Sequence, residues 1–162
     1  MGITQLNFEG KNKVETAIAL LQAYANDEPY YLAFSGGKDS VVIYDLAVKS
    51  GVKFDAHYCV SPIDPLQIYQ FIREHYPNVA WDYHARGFWK TVVKNGLPLR
   101  QARWCCRIIK EAGGEGRTVI VGNRIEEGAN RKHQKCFEKH RKQDKRFLRP
   151  ILNWNDGEVW EY

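Results

Sequence analysis

The chain has 162 residues, about one domain's worth and long enough to bury a substantial core. Hydrophobic residues at 44% and charged residues at 27% are ordinary for a globular protein, and no apolar run nears the roughly 20 residues needed to span a bilayer. The net charge of +5 is concentrated: residues 131–146 hold eight Lys or Arg against Glu138 and Asp144, a local +6 that leaves the remainder near −1.

The opening MGITQLNFEGKNK lacks the apolar core of a signal peptide. Gly2 does not complete a myristoylation pattern, because Leu6 stands where Ser or Thr is preferred. The expected location is the cytoplasm, without a membrane contact.

Taken in order, Val14, Ala17, Ile18, Leu21 and Tyr24 recur at helical spacing and predict a first helix over 13–26. An apolar strand over 30–34 follows, then a glycine turn and a helix over 40–50 with Gly51 as its C-cap. Residues 53–60 read as the second strand. Asp64 is the expected N-cap of the next helix, with Pro65 at N1 and Gln67 at N3. That helix turns Leu66, Tyr69, Ile72 and Tyr76 inward and stops before Pro77.

A short strand over 79–83 and a short helix over 87–94 come next. A helix over 104–112 ends at Gly113-Gly114, and strands are expected over 117–121 and 147–151. Asn155 and Glu158 form a capping box for a final helix. Strand–helix alternation of this kind predicts an α/β fold with a parallel sheet and helices on both faces. Ligands of such sheets bind at the carboxyl ends of the strands. The segments Ser35–Ser40, 61–64 and 122–131 would all line that edge.

The most telling segment is Ser35-Gly36-Gly37-Lys38-Asp39-Ser40, set between the first strand and its helix. Glycines let backbone N–H groups turn toward a ligand, and the helix dipole adds positive potential there. Lys38 supplies a mobile cation, while Ser35 and Ser40 can donate hydroxyl hydrogen bonds. Two familiar phosphate loops do not fit. GxxxxGK[ST] would need glycine at Leu32 and Ser or Thr at Asp39, and GxGxxG would need glycine at Ser35.

The SGGKDS loop closely resembles the pyrophosphate loop of the adenine-nucleotide α-hydrolase-like superfamily, which includes ATP pyrophosphatases, ATP sulfurylase small subunits and phosphoadenosine-phosphosulfate (PAPS) reductases. Later segments are similar to the PAPS reductase family in particular. Residues 96–110 resemble its segment with a paired cysteine and a lysine four residues on, here Cys105-Cys106 and Lys110. Residues 122–131 are similar to its GxRxxES…R stretch, with Gly128 where the pattern has serine. Ile63-Asp64-Pro65 and residues 153–160 also match family segments, so the resemblance covers roughly 30–162.

The resemblance implies a single Rossmann-like, HUP-type nucleotide-binding domain over 1–162. It implies an adenine nucleotide (PAPS, adenylyl sulfate or ATP) on Ser35, Gly36, Gly37, Lys38, Asp39, Ser40, Gly122, Arg124 and Arg131, with Mg²⁺ bridging phosphates in the ATP case. Lys38, Asp39 and Arg124 are the catalytic candidates. Guanidinium groups suit tetrahedral oxyanions, so Arg124 and Arg131 are sensible clamps, and Arg100, Arg103 and Lys110 would add to their field.

Cytosolic thiols are ordinarily reduced, and Cys59, at the end of an apolar strand, reads as a small core residue. Cys105 and Cys106 point about 100° apart on a helix and are hard to bury together. In the resembled family such a pair, with later cysteines, holds a 4Fe–4S cluster in many members. Cys136 is the candidate third ligand, and no cysteine follows it. Relatives carry a C-terminal segment with further cysteines, including the reductase nucleophile, that this sequence lacks.

Three functions stay open. One is a sulfonucleotide-reductase-like enzyme fed by a thiol donor such as thioredoxin. A second is an ATP pyrophosphatase that adenylates or thiolates a nucleic acid. The third is a nucleotide-binding domain without turnover. The basic segment 131–146 would grip nucleic acid, close over the nucleotide, or remain a solvated loop. Composition does not determine the oligomeric state.

Overall fold

Asn12 starts the first helix, α1 (Lys13–Ala23), through a reciprocal cap in which its side chain accepts from the Glu15 amide and the Glu15 carboxylate accepts from the Asn12 amide, both at 2.9 Å. The computed structural model describes every residue except Met1, 7–9, 85–86, 100–103, 106–112 and 141–142. Strand β1 (Tyr30–Ala33) leads into α2 (Lys38–Ser50), which ends on Gly51 in the left-handed conformation. There follow β2 (Phe54–Cys59), α3 (Leu66–His75), β3 (Ala80–Asp82) and α4 (Phe88–Asn95). Strand β4 (Thr118–Ile120) comes next, then two 3-10 turns, Ile125–Glu127 and Ala129–Arg131. The chain finishes with β5 (Phe137–Lys139), β6 (Arg146–Leu148) and α5 (Asp156–Glu161).

The six strands form one sheet in the order β3-β2-β1-β4-β6-β5, parallel throughout except for β5, which runs antiparallel at the edge. This is the expected α/β Rossmann-like arrangement. The chain winds from β1 outward through β2 and β3, then returns to β4 on the other side. The carboxyl ends of β1 and β4 therefore bound the switch point where open α/β sheets bind ligands.

Register divides the sheet's two faces sharply. Leu32 lies opposite Ala56 and Ile120, and Ile120 opposite Leu148. With Tyr30 and Tyr58 these side chains join Leu21 of α1, Ile43 and Leu46 of α2 and Ile72 of α3 in the main core. Alternation puts Tyr31, Asp55, His57 and Cys59 on the other face, with Cys59 opposite Asp82. A small cluster around Phe88 and Trp104 packs against Cys59 there, bringing α4 to that side.

Several local expectations change. Helix α1 ends at Ala23, and Tyr24 caps it with its ring stacked on Phe137 at 4.2 Å. Asp64 is not the N-cap of α3. Pro65 holds that position, and the Asp64 carboxylate instead accepts from the Tyr58 hydroxyl at 2.7 Å. Leu66 is 67% exposed, because six residues at about 100° each place it roughly 120° round the helix from the buried Ile72. Strand β5 was not expected at all. The helix expected over 104–112 lies mostly outside the described residues.

Candidate functional site

The turn after β1 requires glycine at Gly36 for two reasons. Its φ of +73° is unfavourable for a side chain, and a Cβ there would sit 3.3 Å from side-chain carbons of both Ile68 and Ile72. Gly37, in extended conformation, leads directly into α2, whose first-turn amides no helix can satisfy internally. The serines serve the turn itself. Ser40 Oγ donates to the Gly37 carbonyl at 2.7 Å and Ser35 Oγ donates to Ser40 Oγ at 3.2 Å. Ser40 is buried, so its hydroxyl holds the loop's shape, while Ser35 is exposed.

Gly122 follows β4 and presses on this turn: a Cβ there would lie 3.1 Å from the backbone and Cβ of Asp39. That approach brings Arg124 against the start of α2. Arg124 is 4% exposed, and its nitrogens are all engaged, Nε with Asp39 at 2.7 Å, Nη2 with Asp156 at 2.9 Å and Nη1 with Glu126 at 3.2 Å. Burial works against its charge, but Asp39 and Asp156 outweigh that and hold the guanidinium above its ordinary pKa.

Lys38 forms an ion pair with Asp156 and lies 3.8 Å from Asp39. The hydrogen bond from Lys38, together with Arg124, keeps the Asp156 carboxyl below the usual range. Arg131 pairs with Glu127, which also accepts from the Arg124 amide at 2.8 Å. Asp156 itself is placed by α5, whose Asn155–Glu158 capping box forms as expected and is tied to α1 by the Lys13–Glu158 ion pair at 2.6 Å.

The structure thus brings Lys38, Asp39, Gly122 and Arg124 together at the β1/β4 switch point, and links Arg131 to them through Glu127, which bonds both Arg131 and the Arg124 amide. The sequence reading missed the acidic partners. Lys38, Arg124 and Arg131 meet four carboxylates, Asp39, Glu126, Glu127 and Asp156, so every candidate clamp rests on one of this chain's own acids. Asp156, with Glu126 accepting from its amide at 2.7 Å, comes from the 153–160 segment, which the sequence marks by its family resemblance and its helix cap but not as part of the site.

Beside the loop, between the ends of β1 and β2, lies a cleft lined by Ala33, Phe34, Ser35, His57, Tyr58, Cys59 and Asp64. His57 is held on its floor. Its Nδ1 is 3.1 Å from Asp82 and its Nε2 meets Asp55, which is itself paired with Arg117. The Tyr31 ring stacks on the imidazole at 4.2 Å and its hydroxyl donates to Asp82 at 2.8 Å. Burial, then Cys59 and Asp82, push the Tyr31 phenol far above its ordinary pKa. Burial opposes charge on Asp55, yet Arg117 and His57 hold its carboxyl below the usual range. The signal for this network was present: Asp55, His57 and Cys59 alternate along one strand and share a face.

The cysteines do not gather. Cys105 packs with Cys59 on the Phe88–Trp104 cluster near β2, whereas Cys136 precedes β5 and its carbonyl accepts from Arg149 at 2.7 Å. Among the described residues no group of three or more His, Cys, Asp or Glu is placed to hold a metal ion. Cys106, Arg100, Arg103 and Lys110 lie outside the described residues.

Part of the basic segment is built into the sheet. It supplies β5 and the start of β6; Lys145 is buried and donates to the Gly113 carbonyl at 2.9 Å, and Arg146 donates to the Gly116 carbonyl at 3.1 Å. Lys132, Lys135 and Lys139 are exposed, and Arg141 and Lys142 are outside the described residues. Among the described residues, no helix is long and apolar enough to cross a membrane.

A family model described as the phosphoadenosine phosphosulfate reductase domain matches residues 29–162. An uncharacterized protein from Methanocaldococcus jannaschii is 29% identical over 149 residues, covering 83% of this chain. The chain spans only 31% of that relative's length.

Proposed function

The chain belongs to the phosphoadenosine phosphosulfate reductase domain family, and from that premise we propose that it binds an adenine nucleotide through Ser35–Ser40 and serves sulfonucleotide reduction or related sulfur metabolism. One observation carries the reading. The loop and Arg124 converge at the β1/β4 switch point, where the amino end of α2 and two cations, Lys38 and Arg124, face the same crevice.

On this reading the phosphates or the sulfate lie on the α2 amides and Lys38, and the nucleoside occupies the cleft between Phe34 and Tyr58. Arg124 and Asp39 act as a unit that holds the two loops together, and the guanidinium edge paired with Asp156 would reach the developing charge once the ligand displaces that carboxylate. The described residues offer no ready-made cage for Mg²⁺, so any magnesium would arrive chelated by the nucleotide's own phosphates. The electron donor for a reductive step would be a dithiol protein such as thioredoxin.

Equilibrium dialysis against PAPS, adenylyl sulfate and ATP tests the assignment. Retention of a sulfonucleotide in preference to ATP is expected; retention of none of the three would remove the loop from nucleotide binding. A second reading, an ATP pyrophosphatase acting on nucleic acid, is favoured by one observation, the exposed Lys132, Lys135 and Lys139 along and before the edge strand β5. Retention of ATP alone would select it.

A further inference from the structure

We infer that Asp156 stands in for an anionic oxygen of the ligand and so sets which anions this site accepts. The inference rests on the assignment of the crevice to an anionic nucleotide. A single carboxylate oxygen, Oδ1, takes both the Lys38 ammonium and Arg124 Nη2, the latter at 2.9 Å. Those two cations come from different loops, one after β1 and one after β4, and this oxygen is where they meet. A tetrahedral oxyanion seated on the α2 amides would direct an oxygen to the same place.

Asp156 is free to yield that place. Its side chain is 57% exposed, and the helix it begins does not depend on it, because Asn155 and Glu158 form the cap. Arg124 would keep Asp39 and Glu126 after the exchange, so no buried cation is stranded. Lys38 also has a second resting place: its ammonium lies 5.8 Å from the ring of Trp160, one turn along α5 and 71% exposed.

Competition of this kind discriminates. A ligand with a lone carboxylate exchanges one carboxylate for another and gains nothing at Lys38. A phosphate or sulfate engages the α2 amides and the two cations at once, and so displaces Asp156. Asp156 thereby lowers the affinity for every anion, and most of all for those that cannot engage the amides and both cations at once.

Calorimetric titration with inorganic pyrophosphate, in metal-free buffer, separates the possibilities. Asp156→Asn is expected to bind pyrophosphate at least ten times more tightly than the wild-type chain, and Asp156→Ser, which also removes the charge, should behave the same way. A residue with a merely structural role would weaken binding when replaced. Equal or weaker binding by both variants, while the wild type still binds, overturns the role of Asp156 and leaves the nucleotide site standing. No binding by the wild type or either variant, with circular dichroism unchanged, overturns both.

Discussion

The two faces of one sheet are built by the same strands and do different work. On one, Tyr30, Leu32, Ala56, Ile120 and Leu148 are buried against helices in an apolar core. On the other, one residue along, Tyr31, Asp55, His57, Asp82 and Arg117 are joined by hydrogen bonds and ion pairs beside the cleft. The comparison shows how a short chain economises: alternation lets a strand such as β2 feed the core with one set of side chains and the polar network with the next. It also means that neighbouring substitutions should fail in different ways.

The largest expected effect is on the core face. Leu32→Ala should cost about 2–5 kcal/mol of unfolding free energy, read by urea denaturation, since Leu32 is fully buried in the main core. Arg124→Ala, at the switch point, should cost about 1–3 kcal/mol, because it removes a hydrogen-bond partner of Asp39, Glu126 and Asp156 and leaves Lys38 to pair with Asp39 and Asp156. Tyr31→Phe, on the polar face one residue from Leu32, should cost only about 1 kcal/mol, the loss of its hydrogen bond to Asp82. If Tyr31→Phe proved as damaging as Leu32→Ala, the division between the faces would be wrong.

A pH titration sharpens the contrast. Asp55 on the polar face and Glu158 beneath the site both have folded-state pKa values below their ordinary 3.8 and 4.5. A depressed carboxylate contributes stability that is fully present above its unfolded value and is lost as pH falls through the lower, folded one. Stability should therefore decline below about pH 4.5, and Asp55→Asn should make that decline shallower while lowering stability at pH 7. A decline of unchanged steepness would detach Asp55 from Arg117 and His57.

The smallest expected effect on folding lies at the sheet edge. Neutralising Lys132, Lys135 and Lys139 together should leave the unfolding midpoint nearly unchanged, since all three are exposed. Where nucleic acid binds, the same change should flatten the salt dependence of binding, as measured by fluorescence anisotropy at several salt concentrations, and leave nucleotide affinity alone.

The legible parts of the fold were those whose signals are local. Tyr30–Ala33 followed by SGGKDS marks a strand, a turn and a helix within a dozen residues, and Asn155 with Glu158 marks a helix start. Strand β5 was illegible because only three residues pair, and Glu138 and Lys139 read as members of a charge run. Glu138 in fact accepts from Arg149 at 2.9 Å, a partner eleven residues on. The site's cations were legible as residue types, but their neutralisation by Asp156 was not. That contact spans 118 positions from Lys38 and depends on the sheet's winding.

The most direct test of the account is the affinity of the wild-type chain and Lys38→Ala for PAPS, adenylyl sulfate and ATP, measured side by side by calorimetry. Lys38 is half-buried and contributes to no core contact, so its loss should leave the circular dichroism spectrum intact. The account predicts at least tenfold weaker binding of the preferred nucleotide, about 1.4 kcal/mol. Equal affinity in the two proteins would contradict it, and would move the ligand away from the loop between β1 and α2.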